Sequence, residues 1–192
     1  MSKTWTTFRR YTRTSTCPKR SSSTPSPDTV LGIDPGTTGM GYALLALDRD
    51  PPRLIAHGLV ATPRLGSSAE KLLAIAEALD EMIATYAPGV LALERLYFNK
   101  NARTAMAVAE ARGVALVCGA RAGLAIAEYT PQEVKQSVTG NGGADKRAVQ
   151  RMIVAILELA EPITQDNVAD AIAIALTHAQ RVKFTEAVAS AE

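Results

Sequence analysis

Apolar residues recur along this chain in two rhythms, and the changes between them mark out its elements. Val30-Leu31-Gly32-Ile33-Asp34 is a short, nearly continuous apolar run that enters a glycine turn, and further strands are expected near 39–47 and 53–60, with Pro51-Pro52 at the turn between them. Ser67-Ser68-Ala69-Glu70 then has the form of a capping box. Leu72, Ile75, Leu79, Met82, Ile83 and Tyr86 follow at helical spacing, lining one core-facing stripe until Pro88-Gly89 stops the helix. Gly89-Val90-Leu91-Ala92-Leu93-Glu94 is apolar on both faces, as expected of a parallel strand covered on two sides. An Ala-rich helix over 102–121, a strand over Leu124–Tyr129 and a helix capped by Thr130 with Pro131 in its first turn come next. The remainder is helical. The order is that of an α/β domain with three antiparallel strands followed by two parallel ones.

Three acids interrupt these hydrophobic elements. Asp34 closes the first strand, Glu94 closes the fourth, and Asp170 lies inside Asn167–Leu176, a segment apolar around most of a helical circumference. A carboxylate at the mouth of a buried strand is costly unless hydrogen bonds or a cation compensate it. Ligands of open α/β sheets gather beyond the carboxyl ends of the strands, where Asp34 and Glu94 both fall. Oxygen donors without a neighbouring His or Cys favour Mg²⁺ or Mn²⁺, and a pair of such ions suits phosphodiester hydrolysis. Taken singly, each acid also has an ordinary reading, as a turn former, a strand-end surface charge or a helix cap.

The order and spacing of further residues carry a resemblance. Leu31-Gly32-Ile33-Asp34-Pro35-Gly36, Glu94 with Tyr97 and Asn99-Lys100-Asn101, Ala111-Arg112-Gly113-Val114-Ala115, Tyr129, Val134-Lys135-Gln136, Gly140, Lys146 and Ala169–His178 resemble the RuvC family, bacterial Holliday-junction resolvases of the RNase H-like superfamily, over about residues 30–181. The resemblance implies an RNase H-like fold with a five-stranded mixed sheet flanked by helices, and paired metal-dependent cuts in four-way DNA junctions during recombination and repair. It implies a site of four acidic positions. Asp34, Glu94 and Asp170 occupy three of them, and the fourth, three residues before Asp170, is Asn167. An amide oxygen can ligate but carries no charge, so weaker Coulomb attraction and a preference for Mn²⁺ over Mg²⁺ are expected. Asp166 offers a rival ligand, although its position just before the apolar run suits the N-cap of the last helix.

For DNA, the loop 95–101 sets Tyr97 and Phe98 among Arg95 and Lys100, beside Asn101, a composition suited to unstacked bases. The resemblance gives Tyr97 an aromatic role against junction bases and sets Lys135 and Lys146 near the scissile phosphate. Lys146 would offset charge building on that phosphate. Lys146, Arg147 and Arg151 open a helix after Gly140-Asn141-Gly142-Gly143, and backbone N–H groups there could join the cations in gripping phosphate. One active site per chain and a near two-fold substrate require a symmetric homodimer, for which helix 102–121, with its small residues, is the candidate interface. A branch-migration helicase partner is implied by the resemblance alone.

Composition adjusts the picture in two places. The 192 residues carry a net charge of +2, yet six of the 21 basic residues and one of the 19 acids lie within 1–28, so the tail is +5 and the rest −3. A folded part of that sign must meet DNA through local clusters around an acidic cleft. Residues 1–28, rich in Ser, Thr, Arg and Pro, are expected to be a disordered basic tail: a phosphate-attracting arm, a mis-assigned translation start, or a transit peptide. Residues 29–183 are expected to form the nuclease domain and 184–192 a flexible terminus. Cys17 and Cys118 have no partner at metal spacing, and with no apolar stretch near the ~20 residues a bilayer needs, a bacterial cytoplasmic setting without membrane contact is expected. Two alternatives remain open. One is a junction-binding protein inactivated by Asn167, the other an ATP-binding protein, because Asp34-Pro35-Gly36-Thr37-Thr38 also resembles the first phosphate loop of actin-like ATPases.

Overall fold

The computed structural model describes residues 26–35, 39–63, 66–95 and 102–190. Five strands form one mixed sheet: β1 (Ser26–Pro35), β2 (Met40–Ala46), β3 (Arg53–Val60), β4 (Pro88–Glu94) and β5 (Ala125–Tyr129). Their spatial order is β3-β2-β1-β4-β5. β1, β2 and β3 pair antiparallel, whereas β4 joins β1, and β5 joins β4, in parallel. The five helices are α1 (Ser68–Tyr86), α2 (Ala102–Arg121), α3 (Pro131–Thr139), α4 (Lys146–Ile156) and α5 (Asp166–Ala189).

Local chemistry fixes several boundaries. Ser67 caps α1 and Thr130 caps α3, each with a complete capping box closed by Glu70 or Glu133. Ala87 in the left-handed conformation ends α1, with Pro88 starting β4 directly after it. Gly140, at φ 74°, ends α3 where a residue without a Cβ meets no penalty. Two differences from the sequence reading appear at the ends. β1 begins at Ser26, inside the segment expected to be tail, and α5 continues to Ala189, well past 183.

Because side chains alternate across a strand, the sheet serves two cores. Leu31, Ile33, Leu91 and Leu93 pack with Ile75, Leu79, Met82, Ala111 and Ala115 of α1 and α2. Val30, Ala43, Leu45 and Ala92 pack with Ile172, Ile174 and Leu176 of α5, together with Val134, Val138, Val149 and Ile153 of α3 and α4. α5 lies unusually close to the sheet. A Cβ on Gly32 would stand 2.4 Å from the Ala171 carbonyl oxygen and 2.8 Å from the Ala175 Cβ, and one on Gly41 would stand 1.9 Å from the Asn167 carbonyl oxygen. Two glycines and two alanines thus let the helix backbone rest on β1 and β2, which decides where Asp170 can sit.

Candidate metal centre

Parity along the strands brings the three acids together. Asp34 lies two residues beyond Gly32, and Glu94 two beyond Ala92, so both point to the face covered by α5. Ile33 pairs with Leu93 in the parallel β1–β4 ladder, and Asp34 and Glu94 come one residue later, side by side at the strands' carboxyl ends. Asp170 enters the same region from α5, one residue before Ala171, which packs on Gly32.

Electrostatics report the same convergence. The Asp34 carboxyl is pushed up from 3.8 to about 7, first by burial and then by the negative charges of Asp170 and Glu94, against a smaller pull from Lys146. Burial and Asp170 also raise Glu94, while Lys135 and Lys146 pull it down. Asp170 is raised by burial and held back by Lys146, whose Nζ lies 3.6 Å from Asp170 Oδ2. The same ammonium reaches Asp166 Oδ2 at 3.4 Å, and the net effect of Asp170 and Asp166 is to raise Lys146, despite its partial burial. Four carboxylates therefore face two lysines, a formal excess of two negative charges at a half-buried edge. That excess, presented on oxygen donors alone, fits a divalent cation. Among the described residues, no group of three or more His, Cys, Asp and Glu side chains already closes around a point that would hold a metal ion.

Asn167 lies beside them in the first turn of α5, and its Nδ2 donates to the Gly39 carbonyl at 3.0 Å. A carboxylate cannot make this bond. Asp166 departs from the sequence expectation: the N-cap of α5 is Gln165, with no side-chain cap, and Asp166 falls one residue inside the helix. Its two oxygens are taken by Gln150 Nε2 at 3.2 Å and Lys146 Nζ, both on α4. The glycine-rich segment before α4 also differs. The Gly142 N–H donates to Gln136 Oε1 and the Gly143 N–H to Asn141 Oδ1, so neither is free for phosphate. Asp145, overlooked in the sequence, caps α4 by accepting from the Ala148 N–H, placing an anion where a phosphate had been expected. Its signal was an Asp immediately before a basic helical start.

Lys135 and Lys146 belong to the electrostatic neighbourhood of the acids; Arg147 is exposed on α4. Tyr97, Phe98, Lys100 and Asn101 lie outside the described residues. Another residue, quoted above only within a motif, does touch the site's framework: the Arg112 Nε of α2 donates to the Glu94 carbonyl at 3.3 Å.

Known proteins resemble this chain in sequence and in fold. A family model described as crossover junction endodeoxyribonuclease RuvC matches residues 30–178. A relative of that description from Heliobacterium modesticaldum is 46% identical over 147 residues, covering 77% of this chain and 91% of its own length. The structure titled T. thermophilus RuvC in complex with Holliday junction substrate superposes with a TM-score of 0.76 at 34% identity, over 82% of this chain and 96% of that one. The yeast mitochondrial Holliday junction resolvase Ydc2, at 13% identity and a TM-score of 0.58 over 85% of this chain and 83% of its own, shares the fold.

Proposed function

This chain belongs to the RuvC family of crossover junction endodeoxyribonucleases, and on that premise we propose how its residues cut a four-way DNA junction. The observation that carries the reading is the convergence of Asp34, Glu94 and Asp170 at one sheet edge with their carboxyls pushed up by burial and by one another. These three, with the Asn167 amide oxygen, hold two divalent ions, Mg²⁺ or Mn²⁺. When bound, the ions supply Lewis-acid polarisation of the phosphodiester and of the attacking water.

The chain's own residues do the rest. Asp34 and Glu94, fixed on adjacent parallel strands, set the spacing of the oxygen donors, and Asp170 closes the site from the helix. Lys146, with its Nζ 3.4 Å from Asp166 Oδ2 and 3.6 Å from Asp170 Oδ2, stands beside the acids and would face a scissile phosphate held there. There it offsets the charge that grows as one P–O bond forms to water oxygen and another breaks toward the departing sugar oxygen. Lys135 adds positive potential from α3. Tyr97 stacks on an opened junction base, and Phe98, Lys100, Asn101 and Arg147 contact the DNA beside it.

Paired cuts call for a homodimer. α2 supports it, with Met106 and Val117 exposed by 67% and 62% and open space where a Cβ on Gly113 would point. A cytoplasmic setting in bacteria and cooperation with a branch-migration helicase complete the proposal. None of the described helices is long and apolar enough to cross a membrane. The test is Glu94→Gln assayed on synthetic four-way junctions with Mg²⁺ and with Mn²⁺. Cleavage is expected to disappear while junction affinity stays within about twofold of the parent; continued nicking by the variant refutes the assignment. A parent chain that binds junctions but cuts with neither ion would identify it instead as an inactive binder.

A further inference from the structure

Glu94 is the last residue of β4, and a carboxylate at a strand end is only as well placed as the backbone that carries it. The Arg95 N–H donates to the Tyr129 carbonyl at 2.7 Å, which ties the chain just beyond Glu94 to β5. The Glu94 carbonyl is held from the other side of the sheet. Arg112, in the middle of α2, donates to it from Nε at 3.3 Å and forms an ion pair through a terminal nitrogen with Glu128 on β5. The Arg112 side chain is 16% exposed and that of Glu128 33%, so the pair sits in surroundings where a charge without its partner is costly. Glu128 in turn stands opposite Leu93 in the β4–β5 ladder, on the strand that flanks the end of β4. A planar guanidinium can serve both acceptors at once because its donors form a rigid fork. A lysine, with one terminal nitrogen, cannot match that geometry.

We propose that Arg112 is a positioning residue for the metal centre: braced by Glu128, it pins the Glu94 backbone at the end of β4 and so fixes the Glu94 carboxylate toward Asp34 and Asp170. This rests on the metal-centre reading given above. Arg112 stands on the α2 side of the sheet, away from the face covered by α5. It acts only through Glu94, from the opposite face of the sheet, by setting the direction in which β4 leaves the ladder. Outer contacts of this kind change metal affinity by about 10–100-fold in metalloproteins.

The test compares the full-length parent chain with Glu94→Gln, Arg112→Lys and Glu128→Gln. Mn²⁺ alone is titrated calorimetrically without DNA, and the Mn²⁺ concentration giving half-maximal junction cleavage is measured alongside it. Arg112→Lys is expected to weaken Mn²⁺ binding about tenfold and to raise the half-maximal concentration in parallel, with cleavage recovering at saturating Mn²⁺ and junction affinity in Ca²⁺ unchanged. Glu128→Gln, which retains an acceptor but not the charge, is expected to give a smaller shift of the same kind. If Arg112→Lys fails to fold by circular dichroism, Glu128→Gln decides the matter alone. Mn²⁺ affinity within twofold of the parent in the folded Arg112 or Glu128 variant overturns the positioning role. Should Glu94→Gln also leave Mn²⁺ binding untouched, the metal-centre reading falls with it.

Discussion

Asp34→Asn is expected to stabilise the metal-free protein at alkaline pH, and the size of the gain follows from the environment of that carboxyl. Ionised Asp34 faces Asp170 and Glu94 where water reaches it only in part, which is why it is pushed from 3.8 to about 7. A carboxyl raised in this way keeps its proton in the folded chain across a range of pH in which the unfolded chain has released it. Its contribution to stability is therefore complete below about pH 4, falls as pH rises toward 7, and is flat above. A displacement of about three units at ~1.4 kcal/mol each sets a ceiling near 4 kcal/mol. Asparagine forfeits the attraction to Lys146, and Glu94 and Asp170 share the burden by taking up protons themselves, so about 1–3 kcal/mol is the expected net gain at pH 8.5. For a domain of this size that is roughly 2–12 °C in Tm. The assay is thermal or urea denaturation of parent and variant in EDTA from pH 4 to 8.5. Glu70 and Glu133, held below their usual range by capping hydrogen bonds, add stability as pH rises past 4, but they do so in both proteins and drop out of the difference. The two curves should meet near pH 4 and separate above 6, and added Mn²⁺ should stabilise the parent more than the variant. A variant no more stable than the parent at pH 8.5, or a gain independent of pH, would show that charge crowding at Asp34 is not the cause.

Two further substitutions probe the first turn of α5. Asn167→Asp loses the donation to Gly39 and sets a carboxylate against a carbonyl oxygen, so the metal-free protein should be less stable by about 1–2 kcal/mol in urea melts. The added charge should at the same time move relative cleavage activity from Mn²⁺ toward Mg²⁺, and an unchanged ratio would sink the ion preference argued for Asn167. Gly41→Ala inserts a methyl where 1.9 Å separates it from the Asn167 carbonyl oxygen, so α5 must lift from β2; a loss of about 3 kcal/mol or more and a steep fall in cleavage are expected. A Gly41→Ala protein of parental stability and activity would mean the helix does not need that close seat.

The sequence showed most of the fold because its signals were local. The capping residues Ser67 and Thr130, and the stripe from Leu72 to Tyr86, depend on neighbours within a few positions, and the structure keeps them. Asp34 and Glu94 were legible as strand-end acids, although β1 and β4 are apolar on both faces and hide which side each carboxylate takes. What could not be read were long-range pairings. Asp166 looked like a cap until α4 brought Lys146 and Gln150 to it, and the glycines before α4 looked open to phosphate until Gln136 and Asn141 took their N–H groups. Arg112 gave only a faint sign, a cation in an alanine-rich helix 18 positions from the residue whose carbonyl it holds.

The start of β1 has a practical consequence. Ser26 pairs with Pro88 and donates to the Ala87 carbonyl, at the end of the ladder away from Asp34, roughly 25 Å distant at the rise of a strand. A fluorophore or surface tether attached at Ser26 itself would sit at the opposite end of β1 from Asp34, leaving the cutting end clear for single-molecule observation of a junction being opened and nicked.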